Sequence, residues 1–215
     1  MQIEPEVAYI LGAMRDSTID FRAGKNYEIK IAQKNHDWLL VLQEMFLKHF
    51  GNAGKITKHV NNAAILRING KEIVRKLLEL SEMKIPQENW DTPNIIKKQR
   101  SEIQMHYVRG FFDAEGGLPK NPATATQRYI SFSQKNRESL EFIRDFLLGR
   151  GYKPTNITFC GGVWEFRLTR KINLVKFSQE IGSLHSDKRQ RLSVLERVYS
   201  PLIGGGALPG VEAAV

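Results

Sequence analysis

Residues 29–46, IKIAQKNHDWLLVLQEMF, align without a gap on residues 130–147, ISFSQKNRESLEFIRDFL, and both carry the run Gln-Lys-Asn, at 33–35 and 134–136. Farther along, Ile65-Leu66-Arg67-Ile68 stands opposite Glu165-Phe166-Arg167-Leu168, followed by Lys71 and Lys171 respectively. Upstream, the segment from Tyr9 to Asp16 faces the segment from Tyr107 to Glu115. Three matches in one order and at a near-constant offset indicate a duplicated unit, and a duplication constrains the fold more than any local propensity does.

Periodicity gives the unit its content. In the first copy, helices are expected over residues 6–16, 35–49 and 72–82, where apolar residues recur at helical spacing. Strands are expected over 18–22, 27–32, 55–60 and 64–69, where they alternate. The second copy reads as a helix over 102–115, a Pro-containing turn over 116–126, a strand over 128–133, a helix over 137–150, strands over 156–160 and 163–169, and a helix over 172–181. The order is αββαββα twice, an α+β fold. The expected division is residues 1–84 and 102–200 for the two repeats, 85–101 with Pro86 and Pro93 for a linker, and 201–215 with Gly204 to Gly206 for a flexible tail. Within the second part, residues 186–199 form a basic helix that either touches flanking phosphates or simply faces water.

At 215 residues, 41% hydrophobic and 26% charged, the chain has enough apolar side chain for a core in each half. Cys160 is the one cysteine, which excludes an internal disulfide and a Cys-rich zinc site, and the five His lack ligand spacing. No window approaches the roughly 18 apolar residues of a membrane span, and the segment from Met1 to Glu6 lacks the pattern of a signal peptide. An intracellular protein is expected, cytoplasmic or organellar, not secreted and with no membrane partner.

The 32 Lys and Arg exceed the 23 Asp and Glu by nine, and the arrangement of that excess points to nucleic acid. Strand alternation turns Tyr27, Ile29, Ile31, Ile130 and Phe132 toward the helices and Glu28, Lys30, Ala32, Tyr129, Ser131 and Ser133 outward. With Arg22, Lys25, Lys55, Arg67, Arg128 and Arg167, and with Lys71, Lys120 and Lys171 as further candidates, the outward set mixes cations with polar groups suited to both phosphates and base edges.

The helix ends carry the chemistry. Gly110 and Ala114 lie four apart on one face of the segment from Tyr107 to Gly116, so a second helix can approach closely there. Glu115 falls in the last helical turn, where the helix dipole disfavours an acid. Should the two motif helices meet, Glu115 would face Asp16, and two adjacent carboxylates repel unless a cation such as Mg²⁺ lies between them.

At these residues the sequence resembles the LAGLIDADG homing endonucleases of the monomeric two-motif kind. Val108 to Gly116 follows the nine-residue motif, with Glu115 as its terminal acid. The first motif departs from it: Gly110 and Glu115 are five positions apart, Gly12 and Asp16 only four. Asp16 is the expected ligand, with a local helix distortion absorbing one residue, and Ser17 is the alternative. The resemblance implies two motif helices packed at a pseudo-twofold axis and two antiparallel sheets forming a saddle on a long, specific site in double-stranded DNA. It further implies hydrolysis of both strands, leaving short 3′ overhangs. The cofactor implied is Mg²⁺, with Mn²⁺ able to substitute and Ca²⁺ binding without cleavage, held by Asp16, Glu115 and backbone carbonyls such as that of Ala114. Gln33 and Gln134 would position water or phosphate, and Lys34 and Lys135 would offset developing charge. A free-standing frame within an intron is expected. An intron-splicing cofactor and a non-cleaving DNA-binding protein of the same fold remain the alternatives.

Overall fold

The computed structural model describes residues 2–22, 26–85 and 90–203. Lys25 and residues 204–215 of the expected tail lie outside the described residues, as do residues 86–89 of the expected linker.

Each half contains one four-stranded antiparallel sheet. The first is ordered β1-β2-β4-β3, from β1 (Ser17–Phe21), β2 (Tyr27–Gln33), β3 (Lys55–Lys58) and β4 (Ala64–Asn69). The second is ordered β5-β6-β8-β7, from β5 (Gly116–Gly117), β6 (Ile130–Gln134), β7 (Thr158–Cys160) and β8 (Val163–Leu168). The identical order establishes the duplication in three dimensions. Strand β5 corrects the reading of residues 116–126 as turn alone: two glycines carry no alternation, yet Gly116 and Gly117 pair with Phe132 and Ser131.

Helix α1 (Pro5–Ala13) opens with proline, whose fixed φ and missing N–H suit a first turn. Helices α2 (His36–Phe50) and α6 (Arg137–Gly149) start at the asparagines of the repeated Gln-Lys-Asn run. The Asn35 side chain accepts from the Trp38 amide at 2.9 Å and the Asn136 side chain from the Glu138 amide at 3.0 Å. The run therefore repeats partly for a structural reason, since each asparagine caps a helix that packs on its sheet. Gly51, in the left-handed conformation, ends α2. Helices α3 (Lys71–Ser81) and α7 (Lys171–Glu180) complete the two units, and α8 (Ser186–Ile203) follows the second.

Ile29, Ile31, Leu66, Ile68, Ile130, Phe132, Phe166 and Leu168 turn inward from the sheets, as alternation predicts, onto the apolar faces of α1, α2, α5 (Ser101–Glu115) and α6. The two cores join into one where α1 meets α5.

From Trp90 onward, the expected linker is tied down against the two halves. It carries the short helix α4 (Asn94–Lys97), buries Thr92 and Ile96, and supplies the Trp90 and Asp91 carbonyls to Arg15. Its polar composition conceals this, because backbone carbonyls make the contacts.

Candidate nuclease site at the paired helix ends

Two glycines set the approach of the motif helices. A Cβ on Gly12 would lie 2.2 Å from the Tyr107 carbonyl oxygen and 2.6 Å from the Phe111 nitrogen, and one on Gly110 would lie 2.1 Å from the Tyr9 carbonyl oxygen. The contacts are reciprocal, as a pseudo-twofold axis between α1 and α5 requires. Gly12 is therefore the packing glycine of the first motif, and Gly110 pairs with it; Ala114 is only partly buried.

Helix geometry resolves the missing residue. From Gly110 to Glu115 the chain is α-helical, and five such steps advance about 7.5 Å. After Gly12 the helix tightens into a 3₁₀ turn over Met14–Asp16. One α step and three steps of the 3₁₀ kind also advance about 7.5 Å. Asp16 thus reaches the level of Glu115 despite being one residue short.

The glutamines lie at matching parity. Gln33 follows Ile29 and Ile31 on the helix-facing side of β2, and Gln134 follows Ile130 and Phe132 on that side of β6, so both reach beneath their sheets to the helix ends. Gln33 donates from its amide to Asp16, and Gln134 hydrogen-bonds Glu115. Burial raises the pKa of Asp16. Burial, followed by the charge of Asp16, pushes Glu115 up to about 7. A carboxylate from each repeat thus stands within electrostatic reach of the other.

The second layer is asymmetric. Tyr9 donates its hydroxyl hydrogen to Asp113 at 2.6 Å and accepts from the Trp38 indole at 2.6 Å. Asp113 also accepts from Ser183 and from the Leu184 amide, and burial raises its pKa. Across the axis, Arg15 takes the place corresponding to Asp113. Arg15 is 8% exposed, and its guanidinium donates to the Tyr107 hydroxyl at 2.7 Å, Trp90 O at 2.5 Å, Asp91 O at 2.7 Å and Ser139 Oγ at 3.3 Å. Arg15, inside the first motif, is thus a clamp on the inter-repeat segment.

Sequence reasoning missed Lys188. The expectation of a helix face touching phosphate or water fails for it, since its side chain is buried and donates to Phe112 O at 2.7 Å and Asp113 O at 2.9 Å. Burial pulls its ammonium down to about 8, and its charge opposes the upward shifts of Asp16 and Glu115. The only sequence signal is a lysine early in an amphipathic helix, which does not reveal the buried face.

On the sheet faces four of the predicted cations are engaged with acids. Lys30 lies 2.7 Å from Asp20 and 3.1 Å from Glu28, Arg67 lies 2.9 Å from Glu28, and Arg22 lies 3.8 Å from Asp20. Arg167 lies 2.6 Å from Glu165 and over the Tyr129 ring. Glu28 and Ser131, expected to face outward, have the right parity but are only 7% and 5% exposed. Lys30 and Arg67 close over Glu28, and the edge strand β5 lies against Ser131. Arg128 is drawn into its own loop, donating to Pro122 O and Ala123 O, while Ser133 donates to Glu165. Lys71 lies over Tyr27 and Lys171 over Tyr199. Lys34, Lys55, Lys120 and Lys135 are exposed.

Among the described residues there is no cluster of three or more His, Cys, Asp or Glu able to hold a metal. A metal here would rest on two carboxylates and backbone oxygens, a set that suits a hard cation. The mutual repulsion of Asp16 and Glu115 is relieved by such an ion, so these residues fit it.

A family model described as a LAGLIDADG-like domain matches residues 102–182. The chain is 31% identical over 224 residues, spanning 96% of each sequence, to Homing endonuclease I-ApeI from Aeropyrum pernix. Its fold is similar to that of I-DmoI in complex with DNA and Mn, with a TM-score of 0.61 at 18% identity over 83% of this chain and 97% of that one. It is also similar to that of I-WcaI bound to its DNA recognition sequence, with a TM-score of 0.64 at 12% identity over 89% and 88%. Among the described residues, no helix is long and apolar enough to cross a membrane.

Proposed function

This chain belongs to the LAGLIDADG homing endonuclease family, and from that premise we propose that it binds a long specific site in double-stranded DNA as a monomer and hydrolyses one phosphodiester bond in each strand, leaving short 3′ overhangs. The observation that carries this reading is the convergence of Asp16 and Glu115, one from each repeat, each hydrogen-bonded by the corresponding glutamine. Both acids come from one chain, so a second copy is not needed to complete the site.

Asp16, Glu115 and the Ala114 carbonyl are the groups that would hold a divalent ion, with Mg²⁺ as the working ion, Mn²⁺ as a substitute and Ca²⁺ supporting binding without cleavage. Such an ion supplies Lewis acidity toward a scissile phosphate and makes water a better nucleophile near neutral pH. Gln33 and Gln134 orient the acids, which fixes where their oxygens point before substrate arrives. Lys34 and Lys135, exposed beside the glutamines, offset negative charge on the phosphates. Arg22, Lys25, Lys30, Lys55, Arg67, Lys71, Lys120, Arg167 and Lys171 supply backbone attraction and Tyr129 and Ser133 supply polar contacts between them, while Glu28, Ser131 and Arg128, engaged within the protein, shape that face from beneath. A splicing cofactor or a non-cleaving DNA-binding protein of this fold would need the sheets but not two oriented acids, so their presence favours cleavage.

The test is incubation of the full chain and Mg²⁺ with DNA carrying the uninterrupted host-gene site. Double-strand breaks at one position, abolished by EDTA, support the reading; intact DNA with a stable complex refutes it in favour of a binding role.

A further inference from the structure

Lys188 lies on α8, outside the duplicated unit, yet it is buried and its ammonium reaches the end of α5. It is the one lysine in the buried set among the described residues. Its donors go to the Phe112 and Asp113 carbonyls in the last turn of α5, and it lies 5.2 Å from the centre of the Phe112 ring. A cation at a helix C-terminus is favoured by the dipole, and this one braces the turn that carries Glu115. Its charge acts on Asp113, Glu115 and Asp16 together.

We propose that Lys188 is a resident counter-cation of the two-carboxylate site: it holds the end of α5, and with it Glu115, toward Asp16 while no divalent ion is bound, and it weakens the binding of that ion by like-charge repulsion. Lys188 is thus a positioning residue, and the proposal rests on the reading that Asp16 and Glu115 hold the ion. Two fixed carboxylates in a half-buried site would otherwise spread apart or capture a cation permanently. With an ammonium held at the end of α5, the site stays assembled but binds an ion weakly until a DNA phosphate adds its own negative charge. Metal and DNA would then be recruited together.

The test measures Mn²⁺ binding to the DNA-free full chain by water-proton relaxation in wild type, Lys188→Met, Lys188→Arg and the double variant Asp16→Asn/Glu115→Gln. The expected result is binding that the double variant loses, at least threefold tighter binding in Lys188→Met, and near-wild-type affinity in Lys188→Arg. Unchanged or weaker binding in a folded Lys188→Met, or equal tightening in both lysine variants, overturns the proposal while leaving the metal reading in place. Wild-type Mn²⁺ binding that survives the double substitution removes the metal reading and the proposal with it. If Lys188→Met does not fold, the ¹⁵N signal of the protected lysine ammonium in wild type decides: selective broadening by Mn²⁺ is expected, and an unaffected signal overturns the proposal.

Discussion

Gly12 lies directly against the Tyr107 carbonyl across the interface of the two motif helices, leaving 2.2 Å for a Cβ that glycine does not have. The reciprocal contact, Gly110 against Tyr9, is equally close, so the position of Asp16 relative to Glu115 depends on two missing methyl groups. Because the obstructing atoms are backbone, neither helix can yield by a rotamer change.

Gly110→Val should therefore force α1 and α5 apart. The expected cost is about 3 kcal/mol, or roughly 6–12 °C in Tm, with cleavage lost even at temperatures where the chain stays folded. Gly149→Val, at a site open to solvent around its Cβ position, serves as the control and should retain cleavage. Calorimetry and a cleavage assay on both variants check this.

A pH dependence follows from Glu115, whose folded pKa is raised from 4.5 to about 7. A raised folded pKa means that its contribution to stability is fully present below pH 4.5 and is lost as the pH rises through 7. Metal-free Glu115→Gln cannot ionise at that position, so it should be more stable than metal-free wild type at pH 8, by about 1–3 kcal/mol, with the gap closing toward pH 4.5. Mg²⁺ should stabilise wild type more at pH 8 than at pH 6 and leave the variant little changed. Thermal melts across this range with and without EDTA measure both effects.

The ion pairs on the sheet faces make a different prediction. Glu28 holds Lys30 and Arg67 in register, so those cations are less available to an arbitrary phosphate than their number suggests. Glu28→Gln should tighten binding to random-sequence duplex threefold or more, steepen its salt dependence by about one unit of slope, and reduce discrimination in favour of the target site. Anisotropy titrations over a range of KCl concentrations test this.

Much of the architecture was legible because the duplication fixes it: the ordered matches, the two acids and the two glutamines all follow from the alignment of halves. Asp16 was harder, since the motif is one residue short and only the 3₁₀ turn reconciles the count with the geometry. Arg15, Lys188 and the 90–97 segment stayed hidden for a common reason. Each acts through backbone carbonyls, which every residue type presents alike, so no sequence pattern marks the partner. Strand β5 was concealed because a pair of glycines shows no alternation.

The central claim is that one carboxylate from each repeat completes a single cleavage centre. The most direct measurement is the cleavage of the target duplex in Mg²⁺ by Asp16→Asn and by Glu115→Gln, with duplex binding followed in the same samples. Each substitution alone should abolish double-strand breakage while binding stays within about threefold of wild type; full double-strand cleavage by either folded variant would contradict the account.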